Sequence, residues 1–300
     1  MAKVFSKGRF CYDVHSFPPV THSLSIDLHT HSTYSDGVLT PAELVRRAAS
    51  RGVNLLALTD HDEIGGLAEA ALAAIGSDLL LVPGVEISTV WNGQTIHIVG
   101  LDIDVHAPAL VDGLASIRQS RGERAVQIAT QLEAAGVTGS LPGARRHAGN
   151  SAVIGRSHFA RFLVEQRHVR NTSDAFSRYL GAGRIGYVPP AWPDLARAVD
   201  WIHGASGQAV LAHPDRYRLS PRAMQSLFEA FAQSGGDAVE VSGDGRFKSS
   251  AQVRLARQFG FALSSGSDFH APGQHVADLG DVTEIPAGVP AVWQRLRTAR

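Results

Sequence analysis

Seven short apolar runs, LSIDL, NLLALT, LLLVP, TIHIVGL, QAVLA, DAVEV and FALSS, punctuate the chain from about residue 25 onward, alternating with stretches of helical periodicity. Strands this apolar need cover on both faces, and helices supply it when connections cross over between parallel neighbours. The pattern predicts an α/β fold with a mainly parallel sheet wrapped by helices. The first intervening helix has a legible start: Thr40 as N-cap, Pro41 at the first helical position, Glu43 closing a capping box, and Gly52 as the stop.

The alternation lapses between about residues 106 and 186. There ALVDGLASIRQSRGERAVQIATQLEAAG reads as one long amphipathic helix followed by shorter helical pieces, and GAGRIGYVPP returns the chain to the α/β pattern. The expected organisation is an extension at 1–24, a main domain built from 25–105 and 187–300, and a helical insertion at 106–186. The extension carries Lys3, Lys7 and Arg9 but not the apolar segment of a secretory signal, and no span reaches the ~20 apolar residues that cross a bilayer. A cytoplasmic protein with no membrane partner is expected, its first 24 residues poorly ordered.

Lys and Arg number 28, as do Asp and Glu, so the formal charge is zero. That argues against binding long duplex nucleic acid, which rests on many phosphate contacts. Cys11 is the only cysteine, which rules out an intrachain disulfide and a thiolate cluster. Any metal must sit on nitrogen and oxygen.

The strand ends are the informative positions. His29-Thr30-His31 come after LSIDL, Asp60 and His61 after NLLALT, Glu86 after LLLVP, His213 after QAVLA, and Asp268 and His270 after FALSS, while His97 lies within TIHIVG. In parallel α/β sheets and barrels the ligand site lies at the carboxyl ends of the strands, where residues distant in sequence converge. One His or Asp at a strand end is more often a capping residue than a ligand, but six such strands make coincidence a poor account. Imidazole and carboxylate suit Mn²⁺, Zn²⁺ or Fe²⁺, and His29 and His31, two apart on an extended chain, can point the same way. Asp36 in HSTYSDG is a turn residue or a further ligand. Asp60 is read as a partner orienting a ligand histidine, and Asp62 as a loop residue.

These residues resemble the polymerase and histidinol phosphatase (PHP) superfamily, with DLHTHS, LTDHD, PGVEIS, HIVG, LAHPDRY and SSGSDFH in the family's order over about residues 25 to 275. Within the insertion, SIRQSRGERA, GRSHFAR and GYV resemble a narrower branch, the 3′,5′-nucleoside bisphosphate phosphatases. The resemblance implies a distorted (β/α)7 barrel of PHP type with two or three divalent ions, Mn²⁺ first and Zn²⁺, Fe²⁺ or Mg²⁺ as alternatives. It implies His29, His31, Glu86 and Asp268 around one ion, Glu86, His97 and His213 around a second, and Asp36, His61 and His270 around a third. Asp36 stands where many relatives carry His, as expected within the narrower branch. Closely spaced ions lower the pKa of water between them, giving a hydroxide near neutral pH. His61 and His270 have a competing role as proton donor to the leaving oxygen, although metal binding is the favoured one.

A phosphate outside the metal cluster needs cations. Arg118, Arg121 and Arg124 recur at i, i+3 and i+6 on the long helix, and Arg156 and His158 stand in GRSHFAR. Such arginines on a generic helix are often merely solvated; the resemblance raises Arg124, Arg156 and His158 to substrate contacts, with Arg118 a further candidate and Arg216 and Tyr217 second in rank. Trp91, Trp192 and Trp201 are more often packing than base-stacking residues. The expected activity is removal of the 3′-phosphate from a nucleoside bisphosphate, with 5′→3′ trimming of short RNA. Rival readings are a histidinol-phosphate phosphatase, a metal-dependent amidohydrolase and a catalytically silent PHP regulatory module; oligomeric state is left open.

Overall fold

All seven apolar runs form strands: β1 (Ile26–Asp27), β2 (Leu55–Leu58), β3 (Leu80–Trp91), β4 (Gln94–Leu101), β5 (Gln208–Leu211), β6 (Ala238–Ser242) and β7 (Ala262–Gly266). A computed structural model describes residues 25–242, 251–273 and 277–297; the extension at 1–24 lies outside the described residues. The sheet follows chain order from β1 to β7. It closes on itself where Leu28 N donates to Ser265 O at 3.0 Å and Thr30 bridges to Phe269. The result is a seven-stranded α/β barrel.

Two ladders depart from the parallel pattern. β3 pairs parallel with β2 through Leu80–Pro83, then continues as one arm of a hairpin with β4, and β4 pairs antiparallel with β5. Glu86, expected just beyond its strand, therefore lies inside a 12-residue one, past the end of the parallel ladder. The turn residues Asn92 and Gly93, both at positive φ, permit the tight reversal.

Helices α1 (Pro41–Ser50) and α2 (Leu67–Ala74) cover the β1–β3 side. The α1 capping box forms: Thr40 Oγ1 accepts from Glu43 N, and Thr40 N donates to Glu43 Oε2 at 2.8 Å. Between β4 and β5 run α3 (Pro108–Ala134), α4 (Ser140–His147), α5 (Arg156–Glu165), α6 (Thr172–Ala175) and α7 (Leu195–Gly204), without a strand among them. The α3–α6 stretch has its own apolar core, in which Ile128, Leu132, Phe159, Phe162, Leu163 and Leu180 are buried. Helices α7, α8 (Pro221–Gln233) and α9 (Ala251–Phe259) pack on the barrel. Among the described residues no helix is long and apolar enough to cross a membrane.

Candidate metal centre

Alternate residues of an extended chain face one way, and His29 and His31 leave β1 with their Nε2 atoms 3.1 Å apart. Gly266 ends β7 against them; a Cβ there would lie 2.3 Å from the Cβ of His29, so only glycine allows this approach. Glu86, fully buried, forms the hub. Its Oε2 lies 2.9 Å from His61 Nδ1 and 3.3 Å from Nε2 of both His29 and His31. Its Oε1 lies 2.9 Å from His97 Nδ1 and 3.0 Å from His213 Nε2. The sixth imidazole, His270, places Nε2 3.1 Å from Asp36 Oδ1, and Asp268 Oδ1 lies 2.9 Å from His31 Nε2. Donor atoms within 4.8 Å of one another define three groups: His29, His31, Glu86 and Asp268; His31, Asp36, His61 and His270; and His61, Glu86 and His97. His213 touches the same glutamate without joining a group.

The donor set fits divalent cations. Glu86 Oε2 has three imidazole nitrogens within 3.3 Å and hydrogen-bonds to none, as do His61 Nδ1 and His97 Nδ1. Buried polar atoms that converge without hydrogen bonding are costly unless something else satisfies them. Without cations the cluster shares protons unevenly. Burial alone would raise the Glu86 carboxyl, but His61, His97 and His29 outweigh it and hold it well below the usual range. Burial would lower His270, yet Asp36 and Asp268 lift it to about 9, whereas burial and His270 push His31 down to about 3.

Sequence reasoning missed several supports. Glu240, on the one strand without an assigned ligand, accepts from His29 Nδ1 at 2.6 Å and is buried; a carboxylate between two valines of a buried strand was the available signal. Arg216 pairs with Asp268 Oδ2. Asp60 is buried but orients no imidazole: it accepts from Ser32 N, Ser32 Oγ and Ser35 Oγ, at 2.6–2.7 Å, and so fixes the loop after His31. Asp62 lies in the loop after β2, as read, but is a buried hub there, accepting from Ser88 N and from Arg121 Nε, both at 2.7 Å. Its role as a hub is invisible in the sequence for a physical reason, since the partner lies 59 residues away on α3. Asp62, His213 and Asp268 all hold positive φ, strain of the kind that collects at functional sites.

The insertion borders this cluster with guanidinium groups. Arg121 is neutralised by Asp62, and Arg118 donates to Asp62 O at 2.9 Å. Arg124 donates Nε to Val188 O, leaves Nη2 buried without a partner, and is pulled down to about 10 by burial and by Arg156 and Arg121. Arg156 stacks near Phe176 and Tyr187 and donates to Leu180 O. His158 Nδ1 accepts from Gly155 N at 3.0 Å, and burial lowers it to about 4 despite Asp36. Arg161 donates to Asp36 O. Trp192 underlies Arg121 and Arg124 at 5.1 and 5.2 Å, while Trp91 and Trp201 pack against the core.

A closed seven-stranded α/β barrel with histidines and carboxylates gathered at its strand ends defines a class of metal-site barrel. Residues 27–232 match the PHP domain, and the chain belongs to that family. It is 47% identical over 274 residues to a 3′,5′-nucleoside bisphosphate phosphatase from Chromobacterium violaceum, covering 91% of this chain and 96% of the relative. It is 46% identical over 280 residues to the 5′-3′ exoribonuclease Rnm of Escherichia coli, covering 91% and 94%. Among solved structures, one described as an amidohydrolase from Chromobacterium violaceum, with bound sulfate and no metal, aligns with TM-score 0.86 at 46% identity, covering 92% and 96%. A candidate metal-dependent phosphoesterase from Bifidobacterium adolescentis aligns with TM-score 0.75 at 26% identity, covering 92% and 94%.

Proposed function

We propose that this chain is a cytoplasmic metal-dependent phosphatase that removes the 3′-phosphate from nucleoside 3′,5′-bisphosphates, adenosine 3′,5′-bisphosphate among them, and trims short RNA from its 5′ end. The observation that carries the reading is a Glu86-centred donor cluster bordered by guanidinium groups of the insertion, among which Arg124 feels the charges of Arg156 and Arg121 and neither Arg124 nor Arg156 enters an ion pair among the described residues. The phosphatase and exoribonuclease names of the two relatives point the same way.

In this reading His29, His31, Glu86 and Asp268 hold one ion, Glu86, His97 and His213 a second, and Asp36, His61 and His270 a third, with Mn²⁺ the first candidate. Bound there, the ions supply Lewis acidity to the phosphoryl oxygens and a lowered pKa to water. The residues 106–186 act as a substrate-binding insertion on the barrel of 25–105 and 187–300. Arg124 and Arg156 grip the phosphate that is not attacked, His158 and Arg118 position it, and Asp62 keeps Arg121 from competing for it. His61 and His270, where not engaged by metal, are the groups within reach to protonate the leaving oxygen. An amidohydrolase has no use for the arginine pair, and a silent regulatory module would not keep every donor position filled.

The test compares kcat/KM for adenosine 3′,5′-bisphosphate and 3′-AMP after chelation and reloading with Mn²⁺, Zn²⁺, Fe²⁺ or Mg²⁺ in turn. Because binding energy from a remote phosphate improves catalysis at the reacting one, the bisphosphate is expected to be favoured by roughly a hundredfold. Equal values would remove the two-phosphate reading.

A further inference from the structure

Helix α5 begins beside the donor cluster, with Arg156 and His158, and ends at a cleft of roughly 680 Å³. Arg167, His168, Arg170 and Arg178 line this cleft over Val164, and Asp174 is its one carboxylate. Ten helical residues at 1.5 Å each put it about 15 Å from Arg156. Arg161, on the rim of the donor cluster through Asp36 O, lies one turn before Val164 on the same helix face.

Two observations mark the cleft as more than a solvated surface. Arg167 holds φ 60° at the position just past the end of α5, where His168 N bonds back to Leu163 O. Glycine is the unstrained choice there, so the arginine is kept against a local cost. Residues 106–186 also contain eleven arginines and no lysine against five Asp and Glu, in a chain whose total charge is zero. Arg178 has Asp174 at 3.7 Å, whereas Arg167 and Arg170 enter no ion pair among the described residues.

We infer that this cleft is a second anion site, taking a backbone phosphodiester of a single-stranded oligoribonucleotide whose 5′ end occupies the metal centre. The inference rests on the phosphatase reading above and extends it. At about 3.4 Å per stacked nucleotide the separation corresponds to roughly four or five nucleotides. A small bisphosphate therefore uses the inner site alone, and RNA beyond that length uses both.

The experiment measures kcat/KM on adenosine 3′,5′-bisphosphate and on 5′-phosphorylated RNA of two to ten nucleotides, for the wild type, Arg167→Gly, Arg170→Gln and the double variant. Wild-type kcat/KM should climb with length and level off beyond about five nucleotides. The double variant should lose about tenfold on the decamer, and its log–log salt dependence should flatten by about 1.4, two contacts at ~0.7 each. The bisphosphate rate should not change. Arg167→Gly should keep or slightly raise Tm, since glycine relieves the backbone, so a loss on RNA is not a loss of fold. A flat length dependence, or an RNA rate untouched in the double variant, overturns the cleft. If the bisphosphate is not hydrolysed at all, the phosphatase reading fails instead, and fluorescence anisotropy with a labelled decamer still decides the cleft: equal affinity of wild type and double variant overturns it.

Discussion

At the scale of the residue, the donor cluster depends on a carboxylate that stands behind it. Glu240 holds His29 by a 2.6 Å contact to Nδ1, fixing which ring nitrogen faces Glu86 and Asp268. Carboxylate partners of this kind raise ligand basicity, and losing one usually costs about 10–100-fold in metal affinity. Glu240→Gln should show that loss in a competition titration with a chromophoric chelator, with circular dichroism unchanged; wild-type affinity would leave Glu240 as mere packing. His158 carries a pH signature of its own. Its folded pKa is about 4 against an ordinary 6.5 because burial disfavours the charged ring. The folded state thus binds fewer protons than the unfolded one between these values, so its contribution is complete above pH 6.5 and is lost as pH falls toward 4. Urea unfolding of the wild type and of His158→Gln at about pH 7.5 and pH 5 should differ in pH dependence by about 1–2 kcal/mol, the wild type falling more steeply. Parallel curves would mean that the ring is already solvated.

At the scale of the element, the sequence was most legible where the chemistry is local. The seven strands and the α1 cap followed from periodicity and from Thr40, Pro41 and Glu43, because those signals span a few residues. The reversal of β3 and β4 was not visible in periodicity, since apolar runs look alike in either direction, although Asn92-Gly93 was there as a hairpin signal. The roles of Asp60, Asp62 and Glu240 escaped because each depends on a partner brought near only by the closed barrel. The long helix α3 was recognised, but not how its arginines divide. Arg121 and Arg118 are taken up by Asp62, whereas Arg124 enters no ion pair among the described residues and feels the charges of Arg156 and Arg121. That division leads to a mutant-by-substrate cycle. Arg124→Ala and Arg156→Ala should each lower kcat/KM for the bisphosphate by about ten- to a hundredfold, charge-assisted contacts being worth roughly 1.5–3 kcal/mol, and leave p-nitrophenyl phosphate nearly unchanged. An equal loss on both substrates would assign the residue to the reacting phosphate or to the scaffold.

At the scale of the whole molecule, the donors come from β3 and β4 and from the loops after β1, β2, β5 and β7, so ions held among them would tie the barrel together. A ligand that binds only the folded state stabilises it by about 2.7 kcal/mol at a hundred times its Kd. Chelation should therefore lower Tm by roughly 5 °C per ion lost, and readdition of Mn²⁺ should restore it. A melting curve indifferent to chelator would show that the site carries no such ions. The ladder between β4 and β5 has a different consequence. Leu101 pairs with Gln208, so the segment that leaves the barrel after β4 comes back to within one rung of where it departed, about 5 Å away. The start of α3 and all of α7 pack on the barrel core, so the stretch between Ile117 and Leu195 is the part that can lengthen or shorten without changing the register of any strand. A barrel wired this way keeps its donors in one place whatever the length of that stretch, which makes it a natural splice point for grafting a foreign module onto the same core.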